Sequence, residues 1–206
     1  MKLDKFYING QWVDPEKDET INIINPANES VIGQLNVGNE QDIDKAVTAA
    51  KKAFSNFSIT SVNERLELLT EIRNIFKKRF DDIVDAITTE MGAPIKLSRG
   101  AQAAVGLGHL KTAIRVLENH KFEYEFNGSL IRHEPIGVCG LITPWNWPIN
   151  QTISKLGPCL ASGCTAILKP SEISPLSANI IAEIIHEAKA PAGVFNMVHG
   201  LGPIVG

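Results

Sequence analysis

Leu141-Ile142-Thr143-Pro144-Trp145-Asn146-Trp147-Pro148 and, further along, Ala166-Ile167-Leu168-Lys169-Pro170-Ser171-Glu172 decide the fold. In each, an apolar run ends in a proline-containing block, and helix-forming sequence follows. Residues 138–142 read as a buried strand, 149–161 as a helix closed by Ser162-Gly163, and 165–168 as a second strand. Ser174-Pro175 reads as an N-cap and N1 pair opening a helix through Ile180, Ile181, Ile184 and Ile185, and 194–198 as a third strand. This alternation predicts an α/β fold containing half of a doubly wound parallel sheet. Such sheets bind ligands outside the carboxyl ends of their strands. Two polar blocks at consecutive strand ends therefore point at one cleft.

Upstream the patterning differs. Phe6-Tyr7-Ile8, the turn Asn9-Gly10 and Gln11-Trp12-Val13 form a hairpin signal. Strands follow at 21–24, which runs into Asn25-Pro26, and at 31–35. Ile43, Ala46, Val47, Ala50, Ala53, Phe54 and Phe57 recur at helical spacing behind Asn39, an N-cap candidate. Ser61-Val62-Asn63-Glu64 is a capping box. It opens a stripe of Leu66, Leu69, Ile72, Ile75 and Phe76, which Ile83, Val84 and Ile87 continue until Gly92 and Pro94. An Ala- and Gly-rich helix from 95 to about 117 implies close packing against a neighbour. Phe122-Glu123-Tyr124-Glu125-Phe126, Asn127-Gly128 and Ser129-Leu130-Ile131-Arg132 form a second hairpin. It is too small to stand alone, so it packs on its own domain or projects as an arm.

A chain of 206 residues fits one large domain or two small ones, and 44% hydrophobic with 21% charged residues describes a soluble globular protein. The net charge of −3 gives no electrostatic case for nucleic acid or an anionic membrane as partner. No apolar run reaches spanning length, and Met1-Lys2-Leu3-Asp4-Lys5 is not followed by an apolar h-region. The expected location is cytoplasmic. Cys139, Cys159 and Cys164 form neither a metal pattern nor an even disulfide framework, and read as buried, inert thiols. The five histidines show no ligand spacing.

Asn146 at a strand end is either a turn residue bonding its own backbone or an amide that donates to a developing oxyanion. The Trp and Pro residues around it favour the second reading, since they predict a rigid, water-poor setting. Lys169 caps the next strand on the same side. With Glu172 it forms either a solvated ion pair or a grip on ribose hydroxyls. A carboxylate there favours NAD over NADP, because it repels a 2′-phosphate. Lys155, a lone cation on an apolar helix, ordinarily snorkels to solvent. Residues 200–206, with glycines at 200, 202 and 206, resemble a dinucleotide fingerprint with one residue too many, after the third strand instead of the first. A plain turn opening a helix is the better reading.

Taken together, Glu134-Pro135-Ile136-Gly137-Val138, Ile142-Thr143-Pro144-Trp145-Asn146-Trp147-Pro148, Ile167-Leu168-Lys169-Pro170-Ser171-Glu172 and Gly193-Val194-Phe195-Asn196-Met197-Val198 resemble the aldehyde dehydrogenase superfamily, in the family's order. Ile8-Asn9-Gly10 and Asn25-Pro26-Ala27 match its opening. The resemblance implies an NAD(P)-dependent oxidation of an aldehyde to a carboxylic acid on a Rossmann-type sheet. Asn146 would be the oxyanion-hole amide and Lys155 a proton relay. Ile142, Thr143, Pro144 and Trp145 would line the nicotinamide side; Lys169, Ser171 and Glu172 would hold the adenosine ribose; Gly202 would approach the adenine. It also implies a homo-oligomer whose arm is the hairpin at 119–134, set between residues 1–118 and 135–206 of the cofactor-binding domain. The family's nucleophilic Cys, general-base Glu and catalytic domain match nothing in this sequence, so the chain is expected to lack turnover alone. The alternative is a non-catalytic remnant that self-associates or binds a partner or nucleotide.

Overall fold

The computed structural model describes residues 2–206. Near the amino terminus β1 (Lys2–Leu3) precedes the hairpin of β2 (Phe6–Ile8) and β3 (Gln11–Val13), whose turn places Asn9 at φ 53° and Gly10 at φ 77°. Positive φ at both central residues is what a type I′ turn demands, and Asn-Gly supplies it cheaply. β4 (Thr20–Asn25) and β5 (Ser30–Asn36) pair antiparallel, and β1 joins β5 in parallel to make a small sheet ordered β1-β5-β4.

Helices follow with the predicted caps. α1 (Glu40–Phe57) opens where Asn39 Oδ1 accepts the Gln41 and Asp42 amides and Asp42 answers to the Asn39 amide. α2 (Val62–Lys78) opens on the reciprocal Ser61–Glu64 box. The continuous stripe expected over 62–91 is broken: Arg79 leaves helical geometry at φ −93°, ψ 13°, and α3 (Phe80–Met91) begins anew. Arg79 turns its guanidinium to Glu183, at 2.9 Å, and to Asp82, a contact that no local periodicity encodes. Gly92, at φ 71°, stops α3. The expected helix from 95 to about 117 runs from α4 (Ile95–Leu97) through a π-helical turn (Ser98–Ala103) into α5 (Ala104–Asn119). Its small residues pack closely: a Cβ at Gly106 would stand 2.6 Å from Ile149 Cγ2 and 2.8 Å from Phe76 Cζ.

β6 (Glu123–Phe126) and β7 (Ser129–Arg132) form a two-stranded ribbon, and no other strand among the described residues pairs with it. Tyr124, Phe126 and Leu130 are exposed on it.

β8 (Val138–Ile142), α6 (Pro148–Ala161), β9 (Thr165–Lys169), α7 (Pro175–Glu187) and β10 (Phe195–Met197) alternate as predicted, and α8 (Gly202–Val205) ends the chain. β8, β9 and β10 are parallel, with Val138 opposite Thr165 and Phe195 opposite Ala166. The fold is mixed α/β with a parallel sheet. One extension was not foreseen: β2 pairs antiparallel with β10, Tyr7 opposite Met197, giving the order β3-β2-β10-β9-β8. Strand alternation sorts the core. Ala166 and Leu168 face α2, α6 and α7 with Leu69, Ile153 and Ile181, whereas Ile167 faces α1 with Ala46 and Ala50. Each fully buried Leu or Ile contributes about 1.5–3 kcal/mol, so both faces hold the sheet rigid beneath its strand ends.

The start of α7 departs from its predicted cap. Ser174 makes no side-chain cap bond. Glu90 of α3 reaches across, accepting the Leu176 amide at 2.5 Å and the Ser177 amide at 3.2 Å. A carboxylate is the stronger acceptor at a helix N-terminus, and it displaces the local hydroxyl.

Candidate functional site

The two blocks singled out in the sequence leave the sheet side by side. Ile142 is paired with Lys169 in register, and one step on the Thr143 amide donates to the Lys169 carbonyl at 3.1 Å. Pro144 and Pro170 lack an amide to carry the ladder further, so both chains peel off there. Thr143 is buried, while Ile142, Pro144, Trp145 and Asn146 face solvent, Trp145 being 51% exposed. The expectation of a water-poor setting around Asn146 is thus not met in this chain, where the segment that follows β8 lies open while the end of β9 is buried. The Asn146 backbone is nevertheless held: its carbonyl accepts Gln102 Nε2 at 3.2 Å.

Lys169 is only 6% exposed, and its Nζ pairs with Glu172 Oε2 at 2.9 Å. This is not the solvated surface pair that the sequence left open. Burial raises the Glu172 carboxyl, but the hydrogen bond and charge of Lys169 outweigh it and hold the group below its ordinary value. Ser171 Oγ accepts the Ile173 amide at 3.3 Å and the Ser171 carbonyl accepts the Ser174 amide at 3.2 Å, which fixes the turn carrying Glu172. Behind the pair lies His199, fully buried just beyond β10, with no hydrogen-bond partner for either ring nitrogen among the described residues. Burial above all, and then the charge of Lys169, push it down to about 3; the imidazole is neutral at physiological pH.

Lys155 is about two turns into α6. It is half-buried and bonds Gln151 Oε1 at 2.9 Å and the Gln151 carbonyl at 3.2 Å, tied to its own helix instead of snorkelling free. Gly202 is exposed at the start of α8, and a Cβ there would meet nothing within 4 Å. The chain's own packing does not require glycine at that position. Residues 200–206 are the plain turn and short helix expected of them.

The three cysteines sit at the opposite end of the sheet. Cys139 is near the start of β8, Cys164 precedes β9, and Cys159 is near the end of α6. Burial pushes the Cys139 and Cys159 thiols up. Cys139 is half-buried rather than buried. Burial also opposes ionisation at Cys164, but hydrogen bonds from Ser162 and from the backbone at Gly137 and Ile136 bring it below its ordinary value. A mostly apolar cavity of about 310 Å³ between α5 and α6, lined by Val116, Phe122 and Pro158 among others, lies at that same far end. Among the described residues no cluster of His, Cys, Asp and Glu could hold a metal ion, and no helix is long and apolar enough to cross a membrane.

Three residues that bear on the site were not found from sequence: Gln102, Glu90 and His199. The one local trace of Gln102 is a polar residue inside Ala101-Gln102-Ala103-Ala104.

A parallel α/β sheet with a polar site at two adjacent strand ends defines the class. The sequence profile described as the aldehyde dehydrogenase family matches residues 12–206. A 3-succinoylsemialdehyde-pyridine dehydrogenase of Pseudomonas sp is 49% identical over 203 residues, spanning 98% of this chain and 43% of that protein. The structure of an aldehyde dehydrogenase from Bartonella henselae superimposes with a TM-score of 0.97 at 44% identity, over 100% of this chain and 44% of that one. A mutant aldehyde dehydrogenase C from Pseudomonas syringae, in complex with NAD+ and octanal, superimposes with a TM-score of 0.96 at 43% identity, over 98% and 42% of the two chains. This chain belongs to the aldehyde dehydrogenase family. It spans about two-fifths of the length of the relatives it matches.

Proposed function

We propose that the chain is the cofactor-binding part of an NAD(P)-dependent aldehyde dehydrogenase, and that it does not turn over alone. The observation that carries this reading is the bond between Thr143 and the Lys169 carbonyl, which sets the two family blocks against each other at one edge of the sheet. Lys169, Ser171 and Glu172 offer a donor and two acceptors at a semi-buried strand end, which fits vicinal ribose hydroxyls. Ile142, Thr143, Pro144 and Trp145 lie on the nicotinamide side, and Gly202 on the adenine side. A nicotinamide cofactor held by these residues would supply a hydride acceptor for the oxidation. The Glu172 carboxylate repels a 2′-phosphate, which favours NAD over NADP.

The Asn146 side-chain amide donates to the aldehyde oxygen as negative charge grows there, a contribution of about 3–4 kcal/mol where one such donor has been removed from another enzyme. Lys155 moves a proton on the α6 side. The acyl chemistry also needs a thiolate nucleophile, and Cys139, Cys159 and Cys164 all lie at the wrong end of the sheet to supply it. The described segment accordingly supplies cofactor and oxyanion contacts without the attacking group. The ribbon of β6 and β7 acts as the oligomerisation arm between cofactor-binding segments 1–118 and 135–206.

Calorimetric titration with NAD, together with a search for NADH formation over a panel of aldehydes, tests the reading. Weak NAD binding that Lys169→Ala and Glu172→Ala abolish, without NADH formation, is expected. Absence of any NAD binding removes the cofactor assignment. NADH formation that survives purification removes the missing-nucleophile assignment. A second reading, a non-catalytic association module, is favoured by the exposed Phe126 and Leu130 on the ribbon. A monodisperse monomer at high concentration rules it out.

A further inference from the structure

We infer that Gln102 is a positioning residue that aims Asn146, and that the π-helical turn Ser98–Ala103 exists to present it. The helical ribbon from Ile95 to Asn119 has to satisfy two contacts in different phases. At one end Ser98 is fully buried, accepting Thr88 Oγ1–H at 2.8 Å and bonding the Ala93 carbonyl at 3.3 Å. At the other, Gly106 is wedged against Ile149 and Phe76. A residue in an α-helix advances about 100° around the axis, and a π turn absorbs one extra residue without ending the helix. The turn therefore shifts the phase between the two contacts and directs Gln102 at the segment joining β8 to α6.

Gln102 is 1% exposed. Its Nε2 donates to the Asn146 carbonyl at 3.2 Å and lies 3.6 Å from Met91 Sδ, while its Oε1 has no hydrogen-bond partner among the described residues. Burying an amide with an unpaired acceptor is costly, and leucine or methionine would fill the same space without that cost. What the amide adds is a donor to one atom. Residues 143–147 are outside regular structure. They are tied at one end by the Thr143 amide on Lys169, and at the other by α6, where the Gln151 amide bonds the Trp147 carbonyl at 2.9 Å and His109 bonds Asn150 at 2.7 Å. Between these ties the bond from Gln102 holds the peptide that follows Asn146. With that peptide fixed, the Cα–Cβ direction of Asn146 is fixed, and its exposed side chain is presented in one orientation.

The functional half of the inference rests on Asn146 being the oxyanion donor; the positional half does not, and the two are separated by working without cofactor or aldehyde. Backbone amide order parameters of Trp145, Asn146 and Trp147 are measured by NMR in the native chain, in Gln102→Met and in Gln102→Glu, with β9 as reference. In the native chain the three amides are expected near the rigid value of about 0.85 and in Gln102→Met below about 0.6; in Gln102→Glu they are expected below about 0.6 only at alkaline pH, since burial favours the protonated carboxyl, with β9 unchanged throughout. Acidification restores rigidity in Gln102→Glu, whose protonated carboxyl donates again, and not in Gln102→Met. Unchanged order parameters in the variants overturn the inference. So does loosening that extends to β9, or loosening in Gln102→Glu that acid does not reverse, since either marks Gln102 as filling space. If positioning holds while NAD binding fails, the proposed function falls and the positional inference stands.

Discussion

Replacing Glu90 with glutamine is expected to remove a pH-dependence of stability that the native chain carries in its interior. Glu90 is fully buried, and burial raises its carboxyl from 4.5 to about 7 against the two amides of α7 that favour the ionised form. In the unfolded chain the group releases its proton near the ordinary value. Between these limits the folded state holds more protons than the unfolded one, so stability falls as pH rises. At about 1.36 kcal/mol per pH unit, the gap between 4.5 and about 7 is worth about 3 kcal/mol. Glu90→Gln keeps the shape and an accepting oxygen, gives up one accepted bond at about 1 kcal/mol, and cannot ionise. The variant is therefore expected to match the native chain to within about 0.5 kcal/mol at pH 5, where the native chain has already lost most of 1 kcal/mol, and to lie about 2 kcal/mol above it at pH 8. Urea unfolding followed by tryptophan fluorescence, from pH 5 to pH 8, measures the difference. His199 acts in the opposite sense but is common to both proteins, so it cancels. A difference that stays flat across the range, or changes with the other sign, refutes the reasoning.

His199→Leu tests the opposing group: with the imidazole held down to about 3, its contribution is present above 6.5 and is lost as pH falls. The native chain is thus expected to lose stability between pH 7 and pH 5 relative to the variant in urea unfolding. Gly106→Ala drives a methyl into Ile149 and Phe76 and is expected to cost about 1–3 kcal/mol. Gly108→Ala, on the same helix with nothing within 4 Å, is expected to gain up to about 1 kcal/mol; a calorimetric melt of each checks the contrast. Phe126→Ser combined with Leu130→Ser is expected to leave the melting temperature unchanged and to reduce self-association in sedimentation velocity.

What the sequence disclosed was what is written locally. The caps at Asn39 and Ser61, the Asn-Gly turns and the strand–helix alternation after Pro135 each depend on neighbours within a few residues, and each stands in the structure. The meeting of the two polar blocks was legible for the same reason: each follows a recognisable strand, and parallel pairing brings them side by side. What stayed hidden depends on distant partners. Arg79 breaks a helix to reach Glu183; Glu90 displaces Ser174 as the cap of α7. Gln102 looks like one polar residue among alanines, because its importance lies in the phase set by a π turn. The water-poor setting inferred from Trp145 and Trp147 failed since aromatic residues seal a site only when something lies over them.

The seating of β2 beside β10 has a consequence for how the chain is made. Asn9 bonds Asn196 Oδ1 at 2.9 Å across 187 residues. At ordinary rates of synthesis, about 10–40 s pass between the emergence of the two partners. Through that interval Phe6, Tyr7 and Ile8, all buried in the finished protein, have no sheet to join, and a lone hairpin is at best marginally stable in water. Contacts so distant along the chain also slow folding itself. β2 and β3 are therefore synthesised well before the strand that seats them, and for that interval the nascent chain carries an apolar ribbon without its sheet.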